Sequence, residues 1–149
     1  MAAVTVTPKR FIDDKDLSKE VKNLQAEVAQ TATIALAAGA ADTMTITITL
    51  KDGFGNAFGQ RHRVEVYLSD VSTGASLTNS SYSGALTATT GSILTAHTAK
   101  KHVTAVTNAS GVLVLSLVDT AKPATEYVVV VLPNARLIVS AASGTSWGA

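Results

Sequence analysis

The chain has 149 residues, no cysteine and a net charge of +1, so it is long enough to bury a core without staples and contains neither a disulfide framework nor a thiolate zinc site. Near-neutral charge excludes the electrostatic footprint of a nucleic-acid binder, and no run approaches the ~18 apolar residues of a membrane-spanning helix. Only 15% of residues are charged, against roughly 25% in typical soluble domains, which points to surface that is covered by protein.

Residues 1 to 12 read as an extended arm around Val4–Pro8 that orders on a partner, with no apolar stretch of the kind a signal peptide carries. Ten of the 23 charged residues lie between Lys9 and Glu27. Asp13, Asp14 and Asp16 favour a helix start and Gly39 a helix stop, so the sequence predicts a helix over 13–39. Within it Leu17, Val21, Leu24 and Val28 are spaced 4, 3 and 4, the seam of a heptad, continued weakly by Thr31, Ala35 and Ala38. The stripe is the candidate interface, packing either on the chain's own β-domain or on another chain. Ala37–Asp42 is a small-residue linker.

Thr43–Leu50 alternates as regularly as any stretch in the chain, with Met44, Ile46, Ile48 and Leu50 on one face and a threonine row on the other. Lys51–Asn56 is turn chemistry, and Val64–Leu68 answers with a second inward row, so the two runs are expected to pair. Ser72–Gly84 reads as a long surface connection anchored by Leu77 and Tyr82. Leu86–Thr89, Ile93–Ala96, Val103–Thr107, Val112–Val118, Tyr127–Leu132 and Leu137–Val139 read as further strands. Asn108–Gly111 and Pro133–Arg136 are turns between them. The fold class is mainly β, an antiparallel sandwich over 40–140 preceded by the arm and helix and followed by a tail, 141–149, in which Trp147 anchors to its own domain. Its strand rows and turns are complete from Thr43 onward, so the sequence predicts that this unit folds without the arm and helix ahead of it.

Residues 43–139 resemble a bacterial immunoglobulin-like domain of the invasin (Big-1-like) type. The resemblance rests on Thr47–Asp52, then Gly55-Asn56-Ala57, then Val64–Leu68, and on Thr107-Asn108-Ala109-Ser110-Gly111-Val112 leading into a strand. The stretch 71–102 departs from that pattern and, with Val64–Asp70, looks more like Ig-like domains of tailed-bacteriophage structural proteins. The resemblance implies a virion component assembled in the host cytoplasm, an oligomer that decorates and stabilises a capsid and whose partner is the major capsid protein or another virion protein. A tail or neck component is the alternative within that class, and an adhesin or carbohydrate-binding module the alternative outside it.

Chemistry is sparse. His97 and His102 have no acidic neighbour in sequence to complete a metal shell, and no serine lies in a nucleophile elbow. Gly53 and Gly55 lack the third glycine and the helix of a dinucleotide site. Asp52 and Asp70 each follow a strand, where aspartate caps a turn far more often than it serves as acid or base. The sequence therefore predicts no enzyme, no cofactor, no nucleic-acid partner and no membrane insertion. Arg61 and Arg63 with His62, and Lys100 and Lys101 with His102, are two basic clusters that are candidate contacts for an acidic partner.

Overall fold

The computed structural model describes residues 18, 19, 21 and 28–149. Among the described residues there are nine strands: β1 (Thr31–Ala38), β2 (Thr43–Lys51), β3 (Arg63–Ser69), β4 (Leu86–Thr90), β5 (Ser92–Thr98), β6 (His102–Val106), β7 (Val112–Val118), β8 (Tyr127–Val131) and β9 (Leu137–Val139). They form a four-stranded sheet, β1-β2-β7-β4, and a five-stranded sheet, β5-β6-β3-β8-β9, with antiparallel pairing throughout.

Strict alternation places the core. Met44, Ile46, Ile48 and Leu50 are fully buried, and the first three lie beside Leu117, Leu115 and Leu113 of β7. The facing sheet supplies Val64, Val66 and Leu68 from β3, Val103 and Ala105 from β6, and Val128 and Val130 from β8. Burying each such aliphatic side chain contributes about 1.5–3 kcal/mol of transfer free energy, and the threonine face of β2 stays half-buried because the pleat turns it away.

Three expectations change. Residues 31–38 are strand, not the last turns of a helix: Ala32, Ile34 and Leu36 form a period-2 row, and pairing with β2 from Thr31↔Lys51 to Ala38↔Met44 outweighs alanine's helical preference. Ser18, Lys19 and Val21 are helical, and the rest of the expected arm and helix lies outside the described residues. Second, β2 and β3 do not pair, because they belong to opposite sheets. The Asp52–Asn56 turn does reverse the chain, but onto Ala57, which bridges Lys51, and Phe58, whose N–H donates to Leu50 O at 2.8 Å. Phe58 then plugs the end of the core, and the chain crosses to the other sheet. Third, the sandwich does not begin at residue 40, since β1 is part of it and both Ala29 and Ala32 are buried.

The long connection after β3 does run over the surface, with Tyr82 buried, whereas Leu77 is exposed and Thr78 takes the anchoring position. Its Gly74 backs onto Val129 and Val139 on the outer face of the five-stranded sheet. Trp147 is an anchor, as expected: it joins the core cluster and donates its indole N–H to Pro123 O at 3.0 Å.

Candidate functional site

The connectivity sorts the polar residues onto the two ends of the sandwich. One end carries Val28–Gln30, the Asp52–Asn56 turn, Arg61–Arg63, the Asn108–Gly111 turn and Pro133–Arg136. The other carries Ala40–Asp42, the 70–85 connection, Lys100–Lys101, Asp119–Lys122, Glu126 and the C-terminal Ser143–Gly148. Arg61 and Arg63 therefore lie at the opposite end of β3 from Lys100 and Lys101, roughly 20 Å away at the rise of a strand.

At the Arg61 end, Arg61, His62, Arg63 and Glu65 line an open groove of about 580 Å³ with Val64, Val131, Leu132, Pro133 and Ala135. His62 is held by its N–H to Thr107 Oγ1 at 2.9 Å and by edge-to-face packing on Phe58, with centroids 5.1 Å apart. Both arginine side chains remain exposed, and among the described residues neither pairs with a carboxylate. Arg136, on the neighbouring turn, reaches Gln30 O at 3.4 Å. Four cations, Lys51, Arg61, Arg63 and Arg136, thus share this end with Val28, where the N-terminal segment joins the sandwich.

The Lys100 end is spent on holding itself together. Lys100 Nζ donates to Tyr82 O at 2.8 Å and Ser83 O at 3.1 Å, and Lys101 Nζ to Thr78 O at 3.1 Å, so these lysines clasp the 70–85 connection instead of presenting free charge. Glu126 is buried beneath them. One carboxylate oxygen accepts from Thr78 Oγ1 at 3.1 Å and from Ser80 Oγ, while among the described residues Oε2 and the buried Tyr82 hydroxyl beside it make no hydrogen bond of good geometry. Burial, reinforced by the nearby Glu126 carboxylate, pushes the Tyr82 phenol far above its ordinary value.

The two aspartates are turn caps at opposite ends. Burial opposes the charge on Asp52, but the N–H groups of Asn56 at 2.9 Å and Phe54 at 2.8 Å outweigh it and hold the carboxyl below its usual value. Asp70 is likewise lowered, chiefly by the Ser76 hydroxyl at 2.7 Å, with Asn79 adding to it. No acid–base pair forms between them.

Long-range pairing supplies an acid near the histidines that the local sequence lacks. Glu65, on β3 beside β6, places Oε2 3.6 Å from His102 Nε2, and the His97 and His102 rings lie 4.6 Å apart. His97 Nε2 is already engaged with Thr104 Oγ1 at 2.6 Å, and among the described residues no group of three or more His, Asp or Glu side chains is arranged to hold a metal ion. Of the apolar stripe, Val21 is exposed and Val28 half-buried just ahead of β1, while Leu17 and Leu24 lie outside the described residues.

Comparison with protein-family models, with curated proteins and with solved structures finds no match to the chain.

Proposed function

We propose that the protein is a non-enzymatic structural component of a tailed-phage virion, an Ig-like sandwich that decorates and stabilises the capsid and oligomerises on it. The observation that carries the reading is the polarity of the sandwich. Exposed Arg61 and Arg63 lie at the same end of the sandwich as Arg136, which reaches Gln30 where the N-terminal segment joins, whereas the lysines of the far end are consumed by their own connection. One end is thus equipped to dock on an acidic shell protein, with the Leu17, Val21, Leu24 and Val28 stripe as the apolar part of the contact, and the other to face outward. Many modest contacts stabilise a lattice when they form only on the assembled shell, because binding one state shifts its stability by mass action.

Particles assembled without the protein should form, yet lose DNA at lower temperature than decorated ones, and added full-length protein should restore them. The full-length R61E/R63E variant should fold normally and restore poorly, binding at least about tenfold more weakly, since exposed pairs are individually small but reversal adds repulsion. Equal robustness of bare particles, or labelled protein on tails alone, would overturn the decoration reading.

A further inference from the structure

Among the described residues the sandwich has four sheet edges, and three of them are blunted. β9 is three residues long, β4 has five with an irregularity between Ala88 and Thr90, and β5 breaks register twice, between Ile93 and Thr95 and between Ala96 and Thr98. Short length and bulges are how sheets avoid edge-to-edge association. β1 has neither: it runs eight residues in unbroken register, with no charge and no proline, and among the described residues no strand covers its outer side.

The hydrogen-bond phase of that edge follows from its pairing with β2. Gly39 N–H donates to Thr43 O at 2.9 Å, and antiparallel pairs alternate, so Thr31, Thr33, Ala35 and Ala37 spend their backbone groups on β2. Ala32, Ile34, Leu36 and Ala38 then point theirs outward. We propose that β1 pairs with β1 of a second copy of this chain about a two-fold axis at Ala35, joining two four-stranded sheets into one of eight strands.

That register sets Ile34 against the partner's Leu36, and Ala32 against the partner's Ala38, as hydrogen-bonded pairs. It brings the half-buried Ile34 and Leu36 of both copies together on the core face, and sets Thr33 against the partner's Ala37 on the outer face. The Gln30 end of one copy, where Arg136 reaches the Gln30 carbonyl, then lies toward the Ala40–Asp42 turn of the other, whose Asp42 carboxylate is already paired with Lys122 at 2.9 Å. A two-fold strand pair makes the Ile34–Leu36 and Ala32–Ala38 pairings twice, and β1 carries no charge that would oppose its own copy.

Cysteine cross-linking tests both the pairing and its register, because the chain has no native cysteine. Ala35 and Ala37 are exposed on the outer face, so A35C and A37C full-length proteins should melt like the parent. At the axis the two Cα atoms of a non-hydrogen-bonded pair lie about 4.5 Å apart, within disulfide reach, whereas the two Ala37 positions fall more than about 10 Å apart. Under mild oxidation A35C should form a covalent dimer at least tenfold faster than A37C, and A35K should lower the mass of the untreated protein measured by light scattering. Equal cross-linking rates for A35C and A37C would overturn the proposal, whatever the mass of the parent, because association through the N-terminal segment alone gives no preference for position 35.

Discussion

Replacing Gly111 by alanine, with Gly55→Ala as its control, isolates what the Asn108–Gly111 turn does for the fold. Both glycines have positive φ, +71° and +83°, so each substitution carries the left-handed penalty of about 1 kcal/mol. They differ in surroundings. A Cβ on Gly55 meets nothing within 4 Å, whereas one on Gly111 would stand 1.9 Å from Phe58 O, so the turn and the Phe58 backbone must move apart. That movement strains the Leu50 N–H bond to Gly111 O, 2.9 Å long, and the Gly111 N–H bond to Asn108 O, 3.1 Å long, at about 1 kcal/mol each. It also unseats the buried Phe58 plug by a fraction of the roughly 3–5 kcal/mol that full truncation of a core aromatic costs, about 1 kcal/mol. G111A should therefore cost about 4 kcal/mol and G55A about 1 kcal/mol. At a few degrees per kcal/mol for a chain of this size, the melting points should fall by about 12 °C and about 3 °C. Urea titration of both full-length variants, with unchanged m, reads the difference directly. Costs within about 0.5 kcal/mol of one another would refute the close approach of Gly111 to Phe58.

Tyr82→Phe removes a buried hydroxyl that lies beside the Glu126 carboxylate without a hydrogen bond of good geometry among the described residues, so stability should change by less than about 1 kcal/mol; a loss above about 1 kcal/mol on denaturant titration would mean the hydroxyl is well bonded. Because the folded Tyr82 pKa is raised, the unfolded chain ionises first, so the parent's stability is unaffected by this group below 10.0 and falls as pH rises above that value; Y82F should flatten that alkaline limb. Asp52 works in the other direction. Its folded pKa lies below the ordinary value of 3.8, so its contribution is present above that pH and lost as pH falls below it, and D52N should melt with a shallower acid dependence than the parent. A chain beginning at Val28 should melt cooperatively, whereas one beginning at residue 40 should not: it strips β1 from β2, uncovers the core beside Ala32, Ile34 and Leu36, and forfeits several kcal/mol of a total that is only about 5–15 kcal/mol. Circular dichroism melts of the two chains decide it.

Strands with period-2 rows were legible because alternation is a local signal: Val112–Val118 and Leu137–Val139 have the expected bounds, and β2 extends past its expected end only to Lys51. Turns were legible for the same reason, since Asp52 and Asn108 accept backbone N–H bonds from the turns they open. Pairing was not, because nothing within Thr43–Leu68 distinguishes a hairpin from a crossover; Phe58 sealing the core decides it. β1 is ambiguous in the sequence because Thr31, Ala35 and Ala38 continue a heptad while Ala32, Ile34 and Leu36 continue a strand, and only the neighbouring β2 breaks the tie. The lysine clasp, the Glu65–His102 approach and the burial of Glu126 join residues far apart in the chain, so no local pattern announces them. Of the two basic clusters, Arg61 and Arg63 remain available at the surface, and Lys100 and Lys101 are explained by the fold.

The most direct test of the proposed function is a difference density map between particles assembled with and without the protein. Density should appear on the outside of the capsid, with the Arg61, Arg63 and Arg136 end against the shell and the Lys100–Tyr82 end facing solvent. Density confined to the tail, or a sandwich seated with its Lys100 end on the shell, would contradict the account.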